Sequence, residues 1–494
     1  MKIVIAGGGT AGWLAAFLII KTHPIIHEVV LIESSKIGII GAGEGSTGAL
    51  TNIIQNIVRD YGIDERDFVE SCDVTAKHGI EFREWTGINE SYFAPIDGSP
   101  SGNNHLDYLF LQGIASLPKE GWHLSTELGI LADMNKDTLH LGDGPHAYHF
   151  DAHKVGKFFK KMCGKNVKNI DAEILDAELD NNGNIKNIIL ENNKKIEGDF
   201  FIDATGFSRV LMNKLENTWI SYKDNLPVDR AMPFLLDYED DETIRPMTTA
   251  WAQKNGWMWQ IPTLNRKGCG YVYSSEFVSD EQALIDIQEK LGKEIDPIRV
   301  IKFDSGRLEN LWVKNCLAIG LAGSFAEPLE ATSIHTTIVQ LQDFVNSFLS
   351  ESKIEMLDKN KIKVYNDKTN FMFDLLKDFL VIHYQGGRTD TEFWRYIDSG
   401  ETLTDFSRSI IEVCKHRCPN NFNFPQVEGI AGWPLWSYIL AGTNKITKSL
   451  AEKELSMFRV KEHAEKELDM FMSLNIEKNK QLPDNDDSVR SRWR

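Results

Sequence analysis

The sequence predicts an α/β protein with a doubly wound, mostly parallel sheet, an inserted mixed β-sheet and a C-terminal helical region. Three observations predict it. Short apolar strands ending in glycine-rich turns recur at Lys2–Ala6, Phe200–Asp203 and Cys316–Leu321, the pattern of buried parallel strands. Tryptophan- and loop-rich blocks lie between them, roughly over 85–148 and 220–300. From Ser333 onward helical periodicity dominates, in HTTIVQLQDFVNSFL, KVYNDKTNFMFDLLKDFLVIHY and a Lys/Glu-laced stretch over Lys448–Leu474.

In chain order, Lys2–Ala6 reads as a strand, Gly7–Gly12 as a turn, Trp13–Lys21 as a helix and Glu28–Glu33 as the next strand. The uncharged run Ile3–Ile20 imitates a signal peptide, but four glycines interrupt it and no small-residue cleavage pattern follows. Ile185–Leu190 is a further strand, and 481–494 reads as a loose polar tail.

Composition narrows the function. Of 494 residues, 42% are hydrophobic and 26% charged, which supports a sizeable core and excludes a largely disordered chain. Acids outnumber bases 72 to 54, a net charge of -18, so neither nucleic acid nor an anionic membrane is an expected partner. The cysteines, Cys72, Cys163, Cys269, Cys316, Cys414 and Cys418, are scattered, which favours free thiols, a reducing compartment and a cytoplasmic protein. Cys414 and Cys418 flank His416 but lack a second pair nearby, so no metal centre is expected.

The G-x-G-x-x-G run at Gly7, Gly9 and Gly12 sits between strand and helix, and Glu33 closes the second strand 21 residues after Gly12. This is the spacing of a dinucleotide fingerprint. Gly7 permits the turn, Gly9 admits a pyrophosphate, Gly12 lets the helix pack on the strand, and Glu33 accepts ribose hydroxyls. A carboxylate there disfavours a 2′-phosphate, leaving FAD or NAD. The returning strands that end near Gly206, Gly320 and Gly323 suit an extended flavin, so FAD is preferred and a nicotinamide enzyme is the alternative.

Six features, in this order, carry a resemblance: GGGTAGW at Gly7–Trp13, GAGEGST at Gly41–Thr47, Lys77 in VTAKHGIEF, GWMWQIP at Gly256–Pro262, FAEPLEATSI at Phe325–Ile334 and HYQGGRTDTEFWR at His383–Arg395. Together they resemble the flavin-dependent halogenases of the tryptophan halogenase family, over about residues 1–440. The Trp257-x-Trp259-x-Ile261-Pro262 run is the specific one, although two core tryptophans on one strand face would read the same way. The resemblance implies a flavin monooxygenase-like FAD module over 1–345, assembled from segments near 1–80, 150–215 and 300–345. The inserted substrate-side sheet falls near 85–148 and 220–300, and the helical substrate region over 346–480.

It also implies a reaction in two places: FADH2 and O2 oxidise halide to hypohalous acid, which travels to an electron-rich aromatic of indole or phenol type. Lys77 matches the channel lysine that handles the oxidant, and a desolvated ammonium donates directional hydrogen bonds. Glu330 matches the glutamate that assists the oxidant or takes the ring proton; alone it would read as a helix-entry acid. Thr332 and Ser333 match positions whose N–H groups bind halide. Ala331 replaces a usual serine and Ser333 a usual glycine, which leaves the local backbone angles open and suggests a shift towards bromide or iodide. By the same matching, Gly9, Thr10, Ala11, Gly45, Ile174, Leu321 and Ile334 contact FAD.

Phe93, Trp257 and Trp259, with Tyr92 and Trp251, are the candidates for an aromatic pocket. No paired-tyrosine and acid box follows residue 400, and Ala94 stands where the family has a ring-sandwiching histidine. Free tryptophan is therefore not the expected substrate. One G-x-G-x-x-G and no second nucleotide fingerprint imply a separate NAD(P)H-dependent flavin reductase as partner. A homodimer is compatible with the sequence. The rival readings are a flavin-dependent aromatic hydroxylase, in which no halide intervenes, and a non-catalytic flavin-binding protein.

Overall fold

The computed structural model describes all residues except 24–27, 39–43, 59, 61, 63, 97–107, 140–143, 145, 430–431 and 493–494. The chain divides into two compact units. Met1–Gly41, Asp151–Tyr222 and Asp304–Asp374 form one; Ala42–Phe150, Lys223–Phe303 and Leu375–Arg494 form the other.

The first unit is built on a six-stranded sheet. Its order is Trp312–Val313, Cys316–Ala318, Phe200–Asp203, Lys2–Ala6, Glu28–Glu33 and Val167–Asp171. All neighbours are parallel except the first pair. Ile5 lies opposite both Ile202 and Leu31, and Ile3, Val4 and Ile5 are fully buried, because a central parallel strand is covered on both faces. Helix Thr10–Thr22 packs beside helix Ala152–Cys163, with Phe17 and Phe159 ring centroids 5.3 Å apart. This first helix starts three residues before the expected Trp13, since Gly9, in extended conformation, already serves as its N-cap. A small antiparallel sheet, Ile174–Leu179, Ile185–Leu190 and Lys195–Glu197, shares a core with Val4, Val30 and Phe201.

The carboxylate of Asp203 ties down the turn after the Phe200–Asp203 strand. It is fully buried; Oδ1 accepts from Thr205 N at 3.0 Å and Thr205 Oγ1 at 2.6 Å, while Oδ2 accepts from Leu211 N and Met212 N, both at 2.9 Å. Burial raises its pKa despite these four donors.

The second unit is built on a seven-stranded mixed sheet, ordered Ile301–Lys302, Arg230–Leu236, Lys267–Tyr273, Gly256–Pro262, Met247–Gln253, Gly79–Arg83 and Ser91–Pro95. Only the Met247–Gln253 and Gly79–Arg83 pair is parallel. A separate three-stranded antiparallel sheet places Ala147–Phe150 between Glu44–Gly45 and Thr75–Lys77.

Two expectations about the C-terminal chain change. The stretch Lys448–Leu474 is two helices, Lys448–Met457 and Lys461–Asn479, because Arg459 turns to a positive φ of 57°. The tail is not loose: Asn485–Ser491 is a helix capped by Asp484, with Asn485 and Val489 buried. Asn485 Nδ2 donates to Ile244 O at 2.8 Å and Arg492 Nη1 to Val74 O at 2.7 Å. Its polar residues satisfy backbone carbonyls far away in sequence, which composition does not reveal.

Asp203→Asn should destabilise the first unit by on the order of 3 kcal/mol. An amide keeps one acceptor oxygen but turns an N–H towards donors it cannot satisfy. Urea unfolding at neutral pH, compared with wild type, measures this.

Candidate functional site

The Gly7–Gly12 turn is tightly packed everywhere except at Gly9. Gly7 has φ 111°, and a Cβ there would stand 2.2 Å from Ala204 O; a Cβ on Gly12 would stand 2.0 Å from Gly7 O. A Cβ on Gly9 would meet no protein atom within 4 Å. No side chain caps the helix that Gly9 opens, so its first turn presents backbone N–H groups and the positive dipole end to that open side. These residues fit a nucleotide pyrophosphate.

Glu33 lies beside the turn. Its Oε2 accepts from Trp13 Nε1 at 3.0 Å, and its Oε1 accepts from Lys160 Nζ at 2.5 Å and Asn169 Nδ2 at 2.8 Å. Burial pushes its pKa up, but the hydrogen bonds from Lys160, Trp13 and Asn169 outweigh that and hold it below the usual value. The group stays an ionised acceptor. Ala11 meets the turn that carries Leu321, since a Cβ on Gly320 would lie 3.0 Å from Ala11 Cβ and 3.6 Å from Thr337 Oγ1. Ile334 lies in the first turn of the helix Thr332–Asp343 that bears Thr337. Thr10, Ala11, Leu321 and Ile334 thus belong to elements that converge, whereas Ile174 stands on the small antiparallel sheet, paired with Leu190.

Glu330 and Ala331 are adjacent non-glycine residues with positive φ, 65° and 54°. Such angles cost roughly 1–2 kcal/mol each. Helix Thr332–Asp343 follows at once, without a side-chain cap. Ser333 lies in its first turn and is not among the positive-φ residues. The expected glycine is therefore not needed at Ser333, and a shift of halide preference based on backbone angles there loses its premise. The unusual angles sit one turn earlier, on Glu330 and Ala331.

In the second unit, Lys77 is 1% exposed and its Nζ donates to Ser46 O at 3.0 Å. Gly45 lies beneath it: a Cβ there would be 3.1 Å from Lys77 Nζ. Of GAGEGST, Gly41, Ala42 and Gly43 lie outside the described residues. Beside Lys77, His149 is fully buried; burial, then the charges of Lys77 and His78, hold its pKa well below normal. His78 is also buried, which lowers its pKa to about 4.

The predicted aromatic trio divides. Trp259 lies opposite Ala250, Ala250 opposite Phe82, and Phe82 opposite Tyr92. Directly opposed residues share a face, so Trp257, Trp259, Phe82 and Tyr92 stand on one face and Phe93 on the other. Ring contacts agree: Phe82 stacks on Tyr92 at 4.9 Å, Trp85 lies 6.3 Å from Trp257, and Phe93 meets His123 at 5.2 Å. Trp257 is 1% exposed, so it is core, whereas Trp259 is half-buried. The His383–Arg395 run is a brace: Arg388 pairs with Asp390 and stacks 4.7 Å from the Trp394 ring, and Trp394 Nε1 donates to Gln253 O at 2.8 Å.

Sequence reasoning missed His149 and the carboxylate role of Asp203. The alternation in Ala147-Tyr148-His149-Phe150 was a usable signal for His149, but only the pairing of this four-residue strand shows what it faces. Glu65 was missed as well: it is buried and accepts from His146 Nε2 at 2.9 Å and from the Tyr148 hydroxyl. Among the described residues all six cysteines are free, no group of three or more His, Cys, Asp or Glu is placed to hold a metal, and no helix is long and apolar enough to cross a membrane.

The two ends of the glycine turn predict opposite outcomes. Gly12→Ala should prevent folding of the first unit, whereas Gly9→Ala should leave the Tm of FAD-free protein unchanged and weaken FAD binding about tenfold or more. Thermal melts and flavin fluorescence titration measure both.

The model of the tryptophan halogenase family matches residues 2–459. The chain is 32% identical to a tryptophan 7-halogenase of Lentzea aerocolonigenes, over 80% of this chain and 78% of that protein. It is 31% identical to a tryptophan 6-halogenase of Streptomyces toxytricini, over 90% of each. The solved structure of the tryptophan 6-halogenase from Streptomyces toxytricini superposes with a TM-score of 0.85 at 28% identity, covering 99% of both chains. A flavin-dependent halogenase from Xanthomonas campestris gives 0.83 at 27% identity, covering 99% of this chain and 98% of that one. With the glycine turn, the buried lysine and the mixed α/β fold, these likenesses show that the chain belongs to the tryptophan halogenase family, the flavin-dependent halogenases, and is an enzyme.

Proposed function

We propose that the protein halogenates an electron-rich aromatic of indole or phenol type, using FADH2 delivered by a separate NAD(P)H-dependent flavin reductase. The observation that carries this reading is the Lys77 ammonium, buried to 1% and held by Ser46 O. Withdrawing a lysine from water is costly, and an ordinary strand lysine would not be so placed. Bound reduced FAD, with O2, supplies the oxidising power that turns halide into hypohalous acid.

The chain's own residues do the rest. Gly7, Gly9 and Gly12 shape the turn, Thr10 and Ala11 offer N–H groups to the pyrophosphate, and Glu33 accepts from the ribose. Gly45, Leu321 and Ile334 complete the flavin contacts. The N–H groups of Thr332 and Ser333, at an uncapped helix start, hold the halide. Lys77 donates a hydrogen bond to the oxidant and so makes its halogen more electrophilic. Glu330 takes the ring proton after attack. Trp259 offers aromatic surface on one face of the seven-stranded sheet, with buried Tyr92 on the same face; Phe93 serves the opposite face.

Family membership favours halogenation over hydroxylation. Enzyme supplied with FAD, a flavin reductase, NADH and bromide should convert an indole to a product carrying the bromine isotope pattern. A hydroxylated product, formed alike with and without halide, would overturn the reading. Lys77→Ala should lower halogenation by about a hundredfold or more while flavin oxidation and peroxide release continue; near-wild-type halogenation would remove Lys77 from the mechanism.

The missing amino-acid clamp sets the substrate class. A zwitterion entering a pocket without matched partners loses hydration that nothing replaces. In competition at equal concentration with bromide present, a neutral indole should outrun free tryptophan in kcat/KM. Clear preference for tryptophan would show that a clamp exists.

A further inference from the structure

We propose that His149 is the positioning residue for Lys77, bracing the ammonium from the centre of the three-stranded sheet while adding no charge of its own. The inference rests on the reading of Lys77 as the residue that handles the oxidant.

Register supplies the first reason. Gly45 and Thr75 both lie opposite His149, and Lys77 lies opposite Ala147. Opposed residues and their i±2 neighbours share a face, so Gly45, Thr75, Lys77, Ala147 and His149 occupy one face with His149 in the middle. Ala147 is small enough for the lysine stem to pass over it towards Ser46 O. The point where a Gly45 Cβ would stand is 3.1 Å from Lys77 Nζ and 3.6 Å from His149 Cδ2. Ammonium and imidazole therefore both border the same glycine.

Hydrogen bonding supplies the second. Thr75 Oγ1 donates its one hydrogen to Pro262 O at 2.6 Å. Its contact with His149 Nδ1, at 3.4 Å, must then take the hydrogen from the ring. Nδ1 carries the proton. Nε2 is left to accept from the Thr248 hydroxyl at 2.8 Å. Of the two neutral tautomers only this one uses both nitrogens, and a protonated ring would set a second buried cation beside Lys77. Thr248 lies opposite Ile80, on the face of the seven-stranded sheet that also carries Ala250 and Trp259. The ring thus connects the lysine to the tryptophan-bearing face.

The test uses His149→Leu, His149→Gln and Thr248→Val in the full chain, with FAD, reductase, bromide and an indole. The main readout is brominated product per FADH2 oxidised. His149→Leu should lower this ratio roughly tenfold or more through kcat, with KM for the indole little changed. His149→Gln, whose amide offers a donor and an acceptor, should recover most of it, and Thr248→Val should lie between. In Lys77→Ala protein, His149→Leu should cost nothing further. A readout without flavin is the 15N spectrum of His149, which should show the neutral Nδ1–H tautomer between about pH 6 and 8.

Equal, wild-type ratios for Leu and Gln, or a charged ring at neutral pH, would overturn the proposal. Should the Leu variant fail to fold, Thr248→Val and the spectrum decide. Halogenation surviving Lys77→Ala is a different failure, that of the Lys77 reading itself.

Discussion

The first unit depends on how closely three pieces of backbone approach at Gly7. Gly7 O stands 2.0 Å from where a Gly12 Cβ would be, and Ala204 O 2.2 Å from where a Gly7 Cβ would be. The first strand can therefore turn straight into its helix while the neighbouring parallel strand ends alongside it. Ala204 is in turn fixed by Asp203, whose four accepted hydrogen bonds hold the chain from Thr205 to Met212 in one arrangement. A buried carboxylate is expensive unless its lone pairs are satisfied. Here the satisfied acid sets the backbone that the glycines touch, and the open side at Gly9 is what that packing leaves over.

The second unit meets a related difficulty with a charge of the other sign. Lys77 is buried to the same degree as a core leucine, and water does not solvate its ammonium freely. The surroundings answer with a carbonyl oxygen from Ser46, with imidazoles held neutral by burial, and with a glycine where any Cβ would crowd the Nζ. The sheet that carries these groups is short, three strands of two to four residues. It keeps its register because its central strand is fully buried: Ala147, Tyr148, His149 and Phe150 are each 0% exposed.

Elements whose cause is local were legible in the sequence. The strands Lys2–Ala6, Glu28–Glu33 and Phe200–Asp203 lie where their apolar runs put them, because a strand buried on both faces needs no partner to be recognised; Ile185–Leu190 also lies where its apolar run puts it, with Lys186 exposed. The glycine spacing was legible for the same reason. Phe93 was not: it follows Tyr92 directly, and only the pairing through Phe82 and Ala250 shows that it turns away from Trp259. His149 and Asp203 carry no motif, and their meaning lies in groups between 74 and 104 residues distant for the one and two to nine residues ahead for the other. The helix at Asn485–Ser491 shows the same limit, since its anchors are the carbonyls of Ile244 and Val74.

Backbone strain on Glu330 and Ala331 gives the first unit a different kind of specificity. Two successive left-handed residues, neither of them glycine, cost stability that a helix starting earlier or later would avoid. They persist because both flanks are fixed: Leu329 before them is buried at 1%, and helix Thr332–Asp343 after them carries Ile338 and Leu341, both fully buried. The Thr332 hydroxyl also lies within 3.5 Å of the carbonyls of Glu327 and Leu329, which closes the turn on itself. With the chain pinned at both ends, the kink has nowhere to relax. The helix therefore begins abruptly at Thr332, with no side chain capping its first N–H groups. A smoother entry would have brought a capping hydroxyl or carboxylate into the place where an anion can instead be held.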